Sequence, residues 1–136
     1  MKKAKSRSKL VRELDQIYSQ YIRLKNADKD GNCICIICKK PFPWKKIQNG
    51  HFCRRSHYNT RWVDMNCHPQ CYVCNCILNT NAEYAVFMLE TYGENAVKEL
   101  VKESAKIVKI QNYEIEEQIV KYRKIVVELL KQHGLE

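Results

Sequence analysis

The sequence predicts an α+β protein in which a small core clamped by cysteines lies between an N-terminal helix and C-terminal helices. Two Cys-x-x-Cys pairs begin at Cys35 and Cys71, and short β-prone segments lie between them. Apolar residues recur at three- and four-residue steps on both sides of this region, as in amphipathic helices. We divide the chain into a basic arm with a helix (1–31), a cysteine-clamped core (32–93) and C-terminal helices (94–136).

The length and composition suit one compact intracellular domain. The chain has 136 residues, of which 45% are hydrophobic, so a modest core is available. No apolar run approaches the length of a membrane span, and the Lys-rich N-terminus lacks an apolar signal region. We therefore expect a cytoplasmic protein without a membrane partner, and its eight cysteines suit metal binding better than disulfides.

The positive charge is concentrated in the first half of the chain. Residues 1–61 contain sixteen Lys and Arg against four Asp and Glu, whereas residues 62–136 contain eight against eleven. A basic half of this kind is typical of nucleic-acid binding, because Lys and Arg replace the counterions of phosphates. A solubilising surface is the simpler alternative.

The first element is predicted to be an amphipathic helix over residues 10–24. Leu10, Leu14, Tyr18 and Ile22 recur at helical spacing and form one apolar stripe. Residues 1–9 are predicted as a basic arm outside the helix. The polar face of the helix continues this positive charge.

Two short strands are predicted in the core, over residues 47–52 and 61–65. The polar loop 53–60 is expected to join them, and the second cysteine pair follows directly. Phe42 and Trp44 are expected to pack against the cysteine cluster.

Three C-terminal helices follow from the pattern of apolar residues. The first has its start signal at the cap-forming Asn79-Thr80-Asn81 and is expected to stop near Gly93. The second covers about 94–107 and the third about 113–132. The third helix is expected to pack on the first helix of the chain, or on a second copy in a homodimer.

Four cysteines are predicted to bind one structural Zn²⁺, because two Cys-x-x-Cys turns present four thiolates to a tetrahedral ion. The predicted ligands are Cys35, Cys38, Cys71 and Cys74. The simpler interpretation is two unrelated pairs of buried thiols. Cys33 is an alternative first ligand, and a second zinc site is conceivable from the remaining cysteines, Cys33, Cys53, Cys67 and Cys76.

His51 is the candidate general base. A histidine activates water near neutral pH because its ordinary pKa is about 6.5. His51 follows Gly50 at the end of a predicted strand between the two cysteine pairs. The alternative is a histidine whose hydrogen bonds serve only the fold.

The order of these motifs resembles the HNH (ββα-metal, His-Me finger) endonucleases with a four-cysteine zinc clamp. More closely, it resembles the NinG/Rap recombination proteins of lambdoid phages. The similar stretches are Asn49-Gly50-His51-Phe52, Arg61-Trp62, Asn66-Cys67-His68-Pro69-Gln70-Cys71-Tyr72-Val73-Cys74-Asn75 and Tyr92-Gly93-Glu94-Asn95-Ala96-Val97. The resemblance implies a zinc-clamped ββα-metal core and a phage- or prophage-encoded enzyme in the bacterial cytoplasm.

The resemblance also implies roles for individual residues. His51 would deprotonate the attacking water, and Asn75 would bind a catalytic divalent ion, Mg²⁺ or Mn²⁺. Asn66 would hold the hairpin loop so that His51 faces the phosphate. Gly50 stands where many such enzymes have an acidic metal ligand, so a second ligand must come from elsewhere.

His68 and Asp64 are the candidates for this second ligand. The alternative for His68 is a structural role through hydrogen bonds. Without a second ligand, the site would bind DNA without cutting it.

Basic side chains beside the predicted hairpin are the expected phosphate contacts, and solvated loop charges are the alternative. They are Arg54, Arg55, Arg61, Lys45 and Lys46. The basic arm, with Lys2, Lys3, Lys5, Arg7 and Lys9, is expected to attract DNA without reading its sequence.

The predicted function is a metal-dependent DNA endonuclease acting on branched recombination intermediates such as Holliday junctions or D-loops. The branched substrate follows from the family resemblance alone. A non-catalytic zinc-dependent nucleic-acid-binding module is the main alternative. An HNH enzyme that cuts ordinary duplex DNA at a fixed sequence is the third.

Overall fold

The computed structural model describes residues 3–135, so Lys2 of the expected basic arm lies outside the described residues. The helices are α1 (Arg7–Lys25), α2 (Tyr58–Arg61), α3 (Asn81–Tyr92), α4 (Glu94–Ala105) and α5 (Asn112–His133). The strands are β1 (Asn32–Ile34), β2 (Pro41–Pro43), β3 (Gln48–His51) and β4 (Cys67–Gln70). The protein is therefore a mixed helix and sheet structure, as predicted.

Helix α1 begins earlier than the periodicity predicted. The Ser6 side chain accepts a hydrogen bond from the Lys9 amide and caps the helix, so Arg7 already belongs to it. The Arg7 guanidinium donates to the Ile110 carbonyl, and Lys5 pairs with Glu13. Part of the expected arm is thus fixed against the helices.

The main core lies between α1 and α5, which pack against each other along their apolar faces. Leu14, Tyr18 and Ile22 of α1 are fully buried with Ile115 of α5, and Tyr122 packs edge-on to Tyr18. Helix α5 therefore packs on α1 of the same chain, which is one of the two expected arrangements. Each fully buried large apolar side chain contributes about 1.5–3 kcal/mol.

The strands form two separate antiparallel pairs, β1 with β2 and β3 with β4. In the second pair Gly50 lies opposite His68, and His51 lies opposite Cys67. The predicted strand over 61–65 is wrong. That segment contains the end of α2 and a 3₁₀ turn at Asp64–Asn66, and the strand comes directly afterwards. The reason is tertiary: the Arg61 and Trp62 side chains both bind Asp15 of α1.

Helix α3 contacts the β3–β4 pair through Tyr84 and Tyr92, and α4 packs against α3 and α2. Helices α3 and α4 meet at Gly93, whose φ of 86° suits a residue without a Cβ atom. Tyr84 and Met88 of α3 pack with Val97 and Leu100 of α4. No helix within residues 3–135 combines the length and apolar character needed to cross a bilayer.

Candidate metal centre and adjoining cleft

The four predicted zinc ligands meet at one point. The Sγ atoms of Cys35, Cys38, Cys71 and Cys74 all lie within 4.8 Å of one another. Four sulfurs each about 2.3 Å from a tetrahedral zinc ion would be about 3.8 Å apart, and the Cys38 and Cys71 sulfurs are 3.9 Å apart. The cluster could therefore bind a structural metal ion such as zinc.

The pKa values of the cluster thiols are shifted in opposite directions. Burial raises the pKa of Cys35, but backbone N–H groups, including that of Cys71, outweigh it and lower the pKa to about 7. Burial and the neighbouring thiols raise the pKa of Cys74 to about 12. Four adjacent thiolates repel one another unless a cation neutralises them, and Zn²⁺ supplies that charge.

The other cysteines lie outside this cluster. The Cys33 thiol donates to the Arg23 carbonyl at 3.0 Å, so it is not the alternative ligand. Phe42 and Trp44 pack against the cluster as predicted, together with the buried Ile47. The cluster is thus shielded on its apolar side.

Beside the metal centre lies an open cleft of about 550 Å³. Two of the predicted catalytic residues, His51 and Asn75, both line it. The complete lining is Asp15, Ser19, Gln48, Asn49, His51, Arg54, Arg55, Asn75 and Cys76. Strand β3, the loop after it, α1 and the turn after the second cysteine pair therefore contribute to one site.

The His51 imidazole is held in one orientation. Its Nε2 lies 2.8 Å from the Arg61 carbonyl oxygen. Since a carbonyl only accepts hydrogen bonds, Nε2 carries the proton and the neutral ring keeps a free lone pair on Nδ1. Burial lowers the pKa of His51 below its ordinary value, although the Arg61 carbonyl opposes the shift. His51 is therefore an unprotonated base at neutral pH.

Asn66 fixes the segment that carries the Arg61 carbonyl. It is fully buried, and its Oδ1 accepts from the Cys53 amide at 2.7 Å. Its Nδ2 donates to the carbonyls of Cys53 and Thr60 at 3.1 Å and 3.0 Å. Asn66 therefore ties the two ends of the loop between β3 and β4, but it does not line the cleft.

Asn75 lies in a π-helical turn, Val73–Ile77, directly after the last cluster cysteine. Turns of this kind occur often at functional sites. The Asn75 Nδ2 donates to the Gln48 Oε1 at 2.9 Å. No donor within residues 3–135 contacts the Asn75 Oδ1, so this oxygen is available to a cation.

Neither candidate for the second catalytic ligand lines the cleft. Both ring nitrogens of His68 are hydrogen-bonded, to Tyr84 at 2.9 Å and to Tyr92 at 2.6 Å. The Asp64 carboxylate accepts from Tyr18, Tyr21 and Lys25. The hydrogen-bonding capacity of both His68 nitrogens and of the Asp64 carboxylate is therefore already used within the fold.

Gly50 is required by close packing. A Cβ atom at this position would lie 1.8 Å from the Oε1 of Gln70, which is only 3% exposed. The Gly50 carbonyl also accepts from the Tyr84 hydroxyl at 2.8 Å. Any larger side chain would therefore displace Gln70 from beneath the strand.

The predicted phosphate contacts fall into three groups. Arg54 and Arg55 are exposed and line the cleft. Arg61 is paired with Asp15, with Nη2 2.5 Å from a carboxylate oxygen, and is largely buried. Lys45 and Lys46 are exposed but lie outside the cleft.

Sequence reasoning missed the contribution of α1 to the cleft. Asp15 and Ser19 lie on the polar face of a helix more than thirty residues before His51, and only packing brings them close. Gln48 and Asn49 also line the cleft, and their place on the strand of His51 was a usable signal. The buried Asn49 Oδ1 has no hydrogen-bond partner within the described residues.

Comparison with known proteins identifies one family. The family described as Bacteriophage Lambda NinG protein matches residues 1–132. No curated protein matches the chain, and no solved structure does. The match covers nearly the whole sequence, including the cysteine cluster, the cleft and α1. The chain therefore belongs to the NinG family of phage recombination-related proteins.

Proposed function

We propose that this protein is a metal-dependent DNA endonuclease of HNH type that acts on branched recombination intermediates. The main support is that His51, between the two cysteine pairs in sequence, and Asn75, directly after the second pair, line one cleft with Arg54 and Arg55. This combination supplies a base, a cation ligand and phosphate-binding charge in one place. The branched substrate, a Holliday junction or D-loop, rests on the family.

His51 would carry the proton transfer. Its Nδ1 takes a proton from a water molecule as the water oxygen bonds to phosphorus. The P–O bond to the leaving oxygen then breaks, and solvent protonates that oxygen. The Arg61 carbonyl stabilises the resulting imidazolium because its oxygen accepts a hydrogen bond from Nε2–H, with 2.8 Å between oxygen and nitrogen.

The cleft suits a hard cation such as Mg²⁺ or Mn²⁺. Asn75 would hold it through the free Oδ1, while Gln48 fixes the carboxamide. Mg²⁺ commonly keeps several waters and uses few protein ligands, so a sparse set of oxygens suffices. When bound, the cation supplies charge stabilisation to the phosphate and leaving oxygen.

Basic side chains would orient the phosphate. Arg54 and Arg55 are exposed at the cleft and present several donors in a fork that matches phosphate oxygens. Arg61 supports His51 instead, because its guanidinium is committed to Asp15 and its carbonyl to the imidazole. Asn66 acts as a positioning residue through the loop it ties together.

The test is cleavage of a four-way junction, a D-loop and matched linear duplex with Mg²⁺ or Mn²⁺. We expect the wild type to nick the branched DNA and His51→Ala to lose at least a hundredfold in rate while retaining DNA binding. His57→Ala changes an exposed histidine outside the cleft and is the matched control. Wild-type binding without cleavage would support the non-catalytic module, and cutting of duplex at a fixed sequence would support the third function.

A further inference from the structure

The cleft continues into a second depression along the outer face of α1, which we call the α1 groove. This groove has a volume of about 570 Å³. Its lining residues are Arg12, Asp15, Gln16, Ser19, Gln20, Arg23 and Arg55. Asp15, Ser19 and Arg55 line the cleft as well, so the two depressions adjoin.

The charge of the α1 groove favours a polyanion. Within residues 3–135, no acidic side chain forms an ion pair with Arg12 or Arg55. Asp15 is the acidic residue of the lining, and Arg61 already neutralises it. Arg23 adds a third guanidinium, of which Nη1 donates to the Trp44 carbonyl and Nε donates to the carbonyl and hydroxyl oxygens of Ser19.

The spacing along α1 suits successive phosphates. Arg12, Gln16 and Ser19 are four and three residues apart, so they form one row on the helix surface. At 1.5 Å per residue this row is roughly 10 Å long. Measured along the axis of a duplex, where each strand advances 3.4 Å per nucleotide, that length corresponds to about three nucleotide steps.

The lining also indicates how DNA would be contacted. All seven side chains that line the groove are polar or charged, and none of them is aromatic. Stacking of bases on aromatic rings is therefore unavailable from this lining, whereas hydrogen bonds to phosphate oxygens are available. Such contacts fix the position of a strand without reading its sequence.

We propose that the α1 groove binds the phosphate backbone of the DNA strand that flanks the scissile phosphate. This inference rests on the proposed function, because the cleft defines which phosphate is cut. One strand would thus pass from Arg54 and Arg55 over Ser19 to Arg12. The substrate would require at least three nucleotides on that side of the cut, independent of their sequence.

The experiment measures DNA binding of the zinc-loaded protein to a four-way junction in Ca²⁺, followed by cleavage in Mg²⁺. We expect Arg12→Glu to weaken binding about five- to tenfold and to reduce the slope of log Kd against log salt by about one. Gln16→Arg should tighten binding and steepen the slope. Lys124→Glu, on the exposed side of α5, makes the same charge change outside the groove and should alter Kd less than twofold.

The outcomes separate this inference from the nuclease proposal. If the wild type binds and cuts the junction but Arg12→Glu and Gln16→Arg behave like Lys124→Glu, the α1 groove does not contact DNA. If Arg12→Glu weakens binding but no protein cuts DNA, the α1 groove binds the DNA backbone, whereas the nuclease proposal and the assignment of a scissile phosphate fail. Absence of any binding to DNA overturns both. Arg12 and Gln16 are exposed, so circular dichroism should show unchanged folding.

Discussion

Acid should destabilise this fold through one buried histidine, His68. The imidazole is 7% exposed, and burial, assisted by the charge of Lys25, lowers its pKa to about 4. In the unfolded chain its pKa is about 6.5. Well above pH 6.5, His68 is therefore neutral in both states. Between about pH 6.5 and 4 the unfolded state takes up the proton first, so stability falls as the pH falls.

The difference between the folded and unfolded pKa values of His68 can be converted into a free energy. At pH 5.5, the two pKa values imply a loss of about 1.4 kcal/mol in the free energy of unfolding. His68→Gln should abolish this pH-dependent loss of stability. The variant should also be less stable than the wild type at pH 7.5, because Tyr84 and Tyr92 lose hydrogen bonds. The measurement is the free energy of unfolding in urea at pH 7.5 and 5.5, with the zinc concentration held constant. His57→Gln is the control. An equal acid-induced loss in wild type and His68→Gln would refute the reasoning.

Three further predictions concern the metal centre, the cleft and an ion pair. Cys71→Ser should abolish zinc binding, measured by atomic emission, whereas Cys76→Ser should retain it; equal zinc in both would contradict the assigned ligands. Junction cleavage should lose rate only below about pH 6.5, because burial lowers the pKa of His51; a pH–rate midpoint above 7 would argue against His51 as the base. Asp15→Asn should cost roughly 2 kcal/mol in urea unfolding, because the largely buried Arg61 loses its charged partner; unchanged stability would show that the pair contributes nothing.

The helices could be predicted because their signals are local. Apolar periodicity located α1, α4 and α5 to within a few residues, and Gly93 ended α3 as expected. The strand at 61–65 could not be predicted correctly from the same signals. Trp62 and Val63 favour a strand by β-propensity. However, Asp15 of α1 binds the side chains of Arg61 and Trp62, and such tertiary contacts outweigh β-propensity.

The cysteine cluster could be predicted because the sequence spacing of its residues defines it. The four clustered cysteines were found from two Cys-x-x-Cys pairs, because each pair forms one tight turn. The environment of His68 was not predictable, because the hydroxyls that satisfy its nitrogens belong to Tyr84 and Tyr92 on a helix later in the chain. The part of α1 in the cleft likewise exists only after α1 packs beside β3.

The cysteine cluster and His51 are coupled through one short strand. Cys67 at the start of β4 lies opposite His51, and Cys71 of the cluster directly follows the end of β4. The Ile36 amide, within the first cysteine pair, donates to the carbonyl of Pro69 in β4 at 3.1 Å. A metal ion that joins the two cysteine pairs would therefore fix β4, and β4 in turn fixes the strand that carries His51. The core between α1 and α5 contains none of the four cluster cysteines. Removal of the metal should consequently disorder the cleft before the long helices separate.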